Sequence, residues 1–241
     1  VYSGNLNYLI NKSENYLESF SEIKTIPYKS IFANFQYNPN NQYENKITKT
    51  YYSVSKIFLK PERPETRFIS VAEDVQGFIE EAFELATKQK LPGNISIRVC
   101  NNEELKQIHS DFGSWNDNIQ GFAINNKTLK KIFVKNNKLD ELMLTIGHEI
   151  GHVFTSRLSS SHDEEAKAIS FALKWAETIR EHNIGNLSCC IKENFDFKPA
   201  NNGLHDVAFL FVKNLINKGR EAMQIHWDLV KGYISLWGFY N

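Results

Sequence analysis

Two histidines four residues apart, with a glutamate beside the first, make His148-Glu149-Ile150-Gly151-His152 the group of side chains in this sequence best equipped for chemistry. On an α-helix four residues turn about 400°, so the two imidazoles point about 40° apart and sit about 6 Å apart along the axis. Both can then reach one ion. Zinc accepts histidine nitrogens at about 2.0–2.1 Å, and a catalytic zinc keeps one position open for water, whose pKa it lowers to about 7. Glu149 stands where a carboxylate takes the proton of that water as it attacks a carbonyl, which is metal-assisted hydrolysis with a peptide bond as the expected substrate. A structural zinc site would instead be closed by a fourth protein ligand and would have no use for a base. Hydrolysis of something other than a peptide uses the same parts and stays open as an alternative.

These side chains need a helix, and the local pattern supplies one. From Leu139 to Phe154 the apolar residues Leu142, Ile146, Ile150 and Val153 recur at helical spacing. Upstream, Val71, Val75, Phe78, Ile79, Phe83 and Leu85 predict a largely buried helix that ends before Leu91-Pro92-Gly93. Ile95–Val99 reads as a strand and Glu103–Asp111 as a second helix. Ile119–Ile124 and Lys131–Val134 read as two strands of a hairpin, joined through the turn-forming Asn125-Asn126-Lys127-Thr128. Downstream, helices are expected at Asp163–Arg180, His205–Asn217 and Glu221–Tyr233. Before all of this come a short helix around Leu6 to Phe20, a loop over Phe35–Tyr43, a strand-forming run from Thr50 to Leu59, and a linker marked by Pro61 and Pro64. The chain thus divides into an accessory or regulatory stretch over 1–70, a segment over 71–160 that carries the strands and the motif helix, and a helical segment over 161–241.

Composition limits the partners. With 241 residues, 41% hydrophobic and 23% charged, the chain can bury a globular core. Lys and Arg balance Asp and Glu at 28 each, so no nucleic-acid partner is expected. No long apolar run predicts a membrane span. Val1-Tyr2-Ser3 is not the start of a signal peptide, and a start without Met is read as trimming. Cys100 and the adjacent Cys189-Cys190 cannot make an even disulfide framework, which fits a reducing, cytoplasmic compartment.

The run Gly147-His148-Glu149-Ile150-Gly151-His152-Val153-Phe154 resembles the active-site helix of zincin metallopeptidases. The order helix, strand, helix, strand, strand, active-site helix is similar to the upper subdomain of that fold, and the resemblance covers about residues 70 to 175. A metzincin would place Gly at 155 and His at 158, where this sequence has Thr155 and Leu158. Downstream, Asp163-Glu164-Glu165-Ala166-Lys167-Ala168-Ile169-Ser170-Phe171-Ala172 resembles the Glu-x-x-Ala-x-x-Phe-Ala helix of gluzincins, including small archaeal minigluzincins and, more loosely, ImmA/IrrE-type peptidases.

Aligned in this way, the resemblance makes Glu165 the third zinc ligand after His148 and His152, with Glu164 as its rival one residue away and His162 as a further candidate. The same acidic run would also complement a helix dipole with no ligand role at all. Ile169 stands where some gluzincins place an aspartate that supports a zinc-bound histidine, so that support must come from elsewhere. The resemblance further implies that Gly121, Phe122 and Ala123 form a strand edge that pairs with extended substrate, unless they are an ordinary hairpin strand. It also implies an oxyanion-stabilising side chain. Asn201-Asn202-Gly203-Leu204-His205 resembles the Gly-x-His turn of thermolysin-like enzymes and nominates His205, ahead of His226 and Tyr233.

Cys189 or Cys190 could cap the metal as a thiolate, and residues 1–70 could form an autoinhibitory or substrate-selecting segment. The expected fold is α+β and zincin-like, with a small mixed sheet, an active-site helix and a mainly helical C-terminal subdomain. The expected partner is a peptide or protein substrate, and the sequence does not indicate the oligomeric state. The second functional reading is a zinc-binding regulatory or interaction module that does not cleave, its metal closed by Cys189, Cys190 or His162.

Overall fold

In the computed structural model, which describes residues 55–126, 130–195 and 204–236, helices dominate around two small sheets. The elements run α1 (Ser55–Phe58), β1 (Phe68–Ile69), α2 (Gln76–Thr87), β2 (Ile95–Cys100), α3 (Asn102–His109), β3 (Gly121–Asn125), β4 (Lys130–Lys135), β5 (Asn137–Lys138), α4 (Leu139–Val153), α5 (Ser161–His182), α6 (Leu204–Asn217) and α7 (Ala222–Val230). The architecture is α+β. Among the described residues no helix is long and apolar enough to cross a membrane.

The expected hairpin forms, with β3 and β4 antiparallel in a register that sets Gly121 against Val134 and Asn125 against Lys130. On the other side of β4 lies β2, parallel to it, so the sheet is mixed with the order β2-β4-β3 and β3 at an edge. A separate antiparallel pair, β1 with β5, leads directly into α4. α2 follows its apolar positions closely, burying Ile79, Ala82, Phe83 and Ala86 behind Val75, and it stops at Lys88, whose left-handed φ of 60° ends the helix. Val71, expected in the same helix, is 46% exposed and lies before it.

One expectation is corrected. The end of the strand-forming run Thr50–Leu59 is not a strand, because Ser55–Phe58 makes a helical turn and only Leu59 makes a β-bridge, to Ile191. Ile57, Phe58 and Leu59 are all buried in succession, so the period-2 alternation of a half-exposed strand is absent. Ile57, Phe58, Leu59 and Ile69 therefore sit in the core, although they fall within the stretch set apart as 1–70. The predicted N-terminal helix, the Phe35–Tyr43 loop, Asn201–Gly203 and the aromatic Trp237–Tyr240 lie outside the described residues.

α5 is the axis of the molecule. It packs against α2, α4, α6 and α7, and it buries Ala166, Ala168, Ile169, Phe171, Ala172, Leu173, Trp175, Ala176 and Ile179, so it is covered on nearly all sides, with the polar Asp163, Glu164, Glu165, Lys167, Ser170 and Thr178 buried among them. Its approach to α4 is set by two glycines one turn apart. A Cβ on Gly151 would lie 2.8 Å from the Cα and carbonyl oxygen of Ala168, and one on Gly147 would lie 2.3 Å from the Trp175 ring. Trp175 is fixed there, its indole N–H donating to the Met143 carbonyl at 2.9 Å. Because backbone cannot swing aside as a flexible side chain can, Gly151→Ala should push the two helices apart. We expect a net loss of about 1–3 kcal/mol from overpacking, after the roughly 1 kcal/mol by which alanine favours a helix. Thermal unfolding of that variant checks the effect; an unchanged unfolding temperature would show that the helices are not held at this distance by the glycine.

The α5–α7 contact contains a buried histidine. His226 has no solvent exposure, donates from Nδ1 to the Lys167 carbonyl at 3.1 Å and stacks on Phe154. Burial lowers its pKa to about 4 from an ordinary 6.5, opposed by the hydrogen bond to Lys167. The folded state keeps this imidazole neutral while the unfolded chain protonates below about 6.5. Its contribution is thus complete above pH 6.5 and lost as pH falls from 6.5 toward 4, amounting to about 2–3 kcal/mol between pH 7.5 and 4.5. Urea unfolding across that range should show a steeper acid loss for wild type than for His226→Phe, and parallel curves would refute the assignment.

Candidate metal centre

α4 is tethered at both ends, which fixes where its histidines point. At its N-terminus Arg63 pairs with Asp140 and Glu141, Thr66 Oγ1 donates to Asp140 Oδ1 at 2.7 Å, and the Leu139 amide donates to the Arg67 carbonyl at 2.9 Å. At its C-terminus the chain continues through Phe154 in right-handed helical geometry, with no glycine to turn it. Three side chains satisfy the carbonyls left over there instead. Asn125 Nδ2 donates to the His152 and Thr155 carbonyls at 2.7 and 2.8 Å, Lys130 Nζ to Phe154 at 3.2 Å, and Lys167 Nζ to His152 and Ser156 at 3.2 and 3.1 Å. Two of these are cations, the favoured charge at a helix C-terminus.

α5 then brings in the acids. Ser160 caps it, its hydroxyl accepting from the Asp163 amide at 3.2 Å, so Asp163 and Glu164 fall in the first turn and Glu165 directly after them. Each is engaged separately. Asp163 accepts from the Ser235 hydroxyl at 2.8 Å and the Leu236 amide at 2.7 Å, clasping the far end of the described chain. Glu164 accepts at Oε1 from His152 Nδ1 at 3.0 Å and at Oε2 from the Leu158 amide at 2.7 Å and Lys167 Nζ at 2.9 Å. Glu165 turns into the cleft, 3.2 Å from His148 Nε2 and 3.7 Å from His152 Nε2, and accepts from His205 Nδ1 at 2.7 Å.

His148, His152 and Glu165 form a buried group able to bind a metal ion. A carboxylate only accepts, so His152 Nδ1 carries the proton toward Glu164 and Nε2 offers a lone pair to the cleft. That lone pair faces His148 Nε2 at 3.2 Å. The two Nε2 atoms and the Glu165 carboxylate converge on one point, where a proton on His148 Nε2 or a metal ion relieves the repulsion between their lone pairs. The 3.2 to 3.7 Å separations are near the edge of a tetrahedron whose bonds are about 2.0–2.1 Å long, roughly 3.3 Å, so the donor set fits a tetrahedral ion.

The electrostatics divide the carboxylates by role. Burial pushes the Glu149 carboxyl above its usual range, against the pull of His148 and His152. Glu165 is held well below it, because the pull of His148, His205 and His152 outweighs burial. Glu164 is also lowered, His152, the Leu158 amide and Lys167 together outweighing burial. Glu149 is therefore the most basic of the three.

These groups line one cleft of about 380 Å³, together with Gly121, Phe122, Ala123, Arg157 and His205. The structure thus brings all the nominated residues His148, Glu149, His152, Glu165, His205 and Gly121–Ala123 to one place. Glu164 borders the cleft but acts on His152. His162, half-buried on α5, is not in the ligand group, and neither cysteine of the adjacent pair lines the cleft; Cys190 lies instead against the Pro64 carbonyl. Of the alternatives to His205, His226 is core and Tyr233 is 61% exposed outside the cleft.

Lys167, Asn125 and Lys130 were invisible to sequence reasoning, since capping by residues distant in sequence leaves no local signal. Only the lack of a glycine after Phe154 hinted that the helix end needed outside partners. In comparisons with family models, curated proteins and solved structures, the chain matches none.

Proposed function

We propose that this chain is a zinc-dependent metallopeptidase of the gluzincin type on a zincin-like fold. One observation carries the reading: the ligand group His148, His152 and Glu165 shares its cleft with a buried carboxylate of raised basicity, Glu149, beside the edge strand β3. Zinc held by those ligands would acidify water in the cleft to a pKa of about 7 and polarise a substrate carbonyl. Glu149 accepts the proton released in the attack and returns it to the leaving amine, for which its raised pKa suits it. His205, at the cleft mouth with Glu165 on its Nδ1, supports the oxygen that gains charge as the carbonyl is attacked. Gly121, Phe122 and Ala123 offer backbone donors and acceptors on the outer side of β3 to an extended peptide.

A non-cleaving zinc module would need a fourth protein ligand, and among the described residues the group has three. The free thiols of Cys100, Cys189 and Cys190 accord with a reducing compartment. The reading is tested by metal analysis of protein purified without chelator, followed by incubation with an unstructured peptide library. One zinc per chain and cleavage that phenanthroline stops and added zinc restores would support it. Bound zinc without cleavage would leave the module reading, and no metal uptake would remove both.

A further inference from the structure

We propose that Lys167 is a positioning residue of the metal centre, holding the ligand His152 at its ring and at its backbone through one buried ammonium. The inference rests on the metal-binding part of the reading above and is independent of peptide cleavage. Lys167 has no solvent exposure, and an ammonium is expensive to bury unless it is paired and its donors are used. It has three donors and finds three acceptors: Glu164 Oε2 at 2.9 Å, the His152 carbonyl at 3.2 Å and the Ser156 carbonyl at 3.1 Å.

Two of these lead to the same residue by different routes. The contact with the carbonyl fixes the backbone of His152. The contact with Glu164 fixes the carboxylate whose other oxygen accepts from His152 Nδ1 at 3.0 Å, and that bond sets the plane in which Nε2 faces the cleft.

The other histidine ligand lacks such support. His148 Nδ1 is buried without a hydrogen-bond partner among the described residues, and Ile169 is buried where the zincin resemblance leads one to look for a supporting aspartate. Orientation of the ligand pair therefore falls on His152 and on the Lys167–Glu164 couple behind it. α5 supplies both a ligand, Glu165, and the brace for a ligand on another helix, Lys167, two residues apart. Without the ammonium, Glu164 keeps only the Leu158 amide on Oε2, and both its carboxylate and the His152 ring gain freedom to rotate.

The test compares wild type, Lys167→Met and the double variant Glu164→Gln with Lys167→Met. Zinc affinity is read by competition with a chromophoric chelator, the absorption spectrum is recorded after cobalt(II) loading, and thermal unfolding of the metal-free proteins is followed in parallel. Lys167→Met leaves a buried carboxylate without its cation and should unfold at lower temperature. The double variant removes both charges and should recover much of that loss. A residue that merely stabilises the fold would leave zinc affinity unchanged at a temperature where Lys167→Met is fully folded. For a positioning residue, Lys167→Met should there bind zinc at least tenfold more weakly than wild type, with a shifted cobalt(II) spectrum. A folded Lys167→Met less than tenfold weaker than wild type overturns the proposal while leaving the metal centre intact. A wild-type protein that takes up no divalent metal overturns both.

Discussion

Glu149→Gln is expected to bind zinc like wild type and to lose peptide hydrolysis by about 10²–10⁴-fold, the range that one general acid-base catalyst supplies. Glutamine preserves the shape of the side chain and one acceptor oxygen but cannot take a proton. Glu149 is not in the ligand group, so metal content should not change. Removing a buried carboxylate whose proton affinity burial has raised should also leave the fold at least as stable as before. The loss should appear in kcat rather than KM, because proton transfer belongs to the transition state and not to the bound peptide. Zinc stoichiometry, unfolding temperature and steady-state kinetics on one cleavable peptide check the three expectations together. A variant with full zinc and full turnover would end the assignment of Glu149 as the base.

Glu165→Ala is expected to weaken zinc binding by about 10²–10³-fold, because structural zinc sites of four ligands bind with about 10–16 kcal/mol and one ligand accounts for roughly a quarter of that. Glu164→Ala should weaken it less, by about 10–100-fold, as for a group that touches a ligand and not the ion. The contrast matters more than either value. Glu165 lies against both imidazoles, 3.2 Å from His148 and 3.7 Å from His152, whereas Glu164 reaches only the outer nitrogen of His152. Zinc titration of both variants, with circular dichroism to establish that each is folded, reads the order directly. If Glu164→Ala proved the more damaging, the ligand would have to be reassigned by one residue.

That one-residue question shows where sequence reading reached its limit. The helix Leu139–Val153 was legible because its apolar stripe repeats at helical spacing, and the pair His148 and His152 follows from the helix geometry alone. The hairpin β3–β4 was legible from turn-forming residues between two apolar runs. Glu164 and Glu165 differ by a rotation of about 100° around α5, and that rotation is set by contacts far away in sequence: Ala168 against Gly151, Trp175 against Gly147, and Asp163 on Ser235 and Leu236. Each acid in the run fits the simple reading of a first turn opposing the helix dipole, and each has in addition a specific partner that no local pattern announces. The two glycines were legible as part of the motif but not as the surface on which α5 lies. Helix α1 was missed because its residues favour strands, and packing of three consecutive side chains overrode that preference.

The clasp of Asp163 on Ser235 and Leu236 has a consequence for how the protein is made. Glu165 leaves the ribosome about seventy residues before Leu236. At about 5–20 residues per second, translation takes roughly four to fourteen seconds to cover that distance. Throughout that interval both histidines and all three acids have been synthesised, yet the Asp163 carboxylate lacks the Ser235 hydroxyl and Leu236 amide that hold it. Vectorial synthesis therefore delivers the candidate ligands early and this fastening later, so the nascent chain carries an unfinished centre until α7 and the segment after it have arrived.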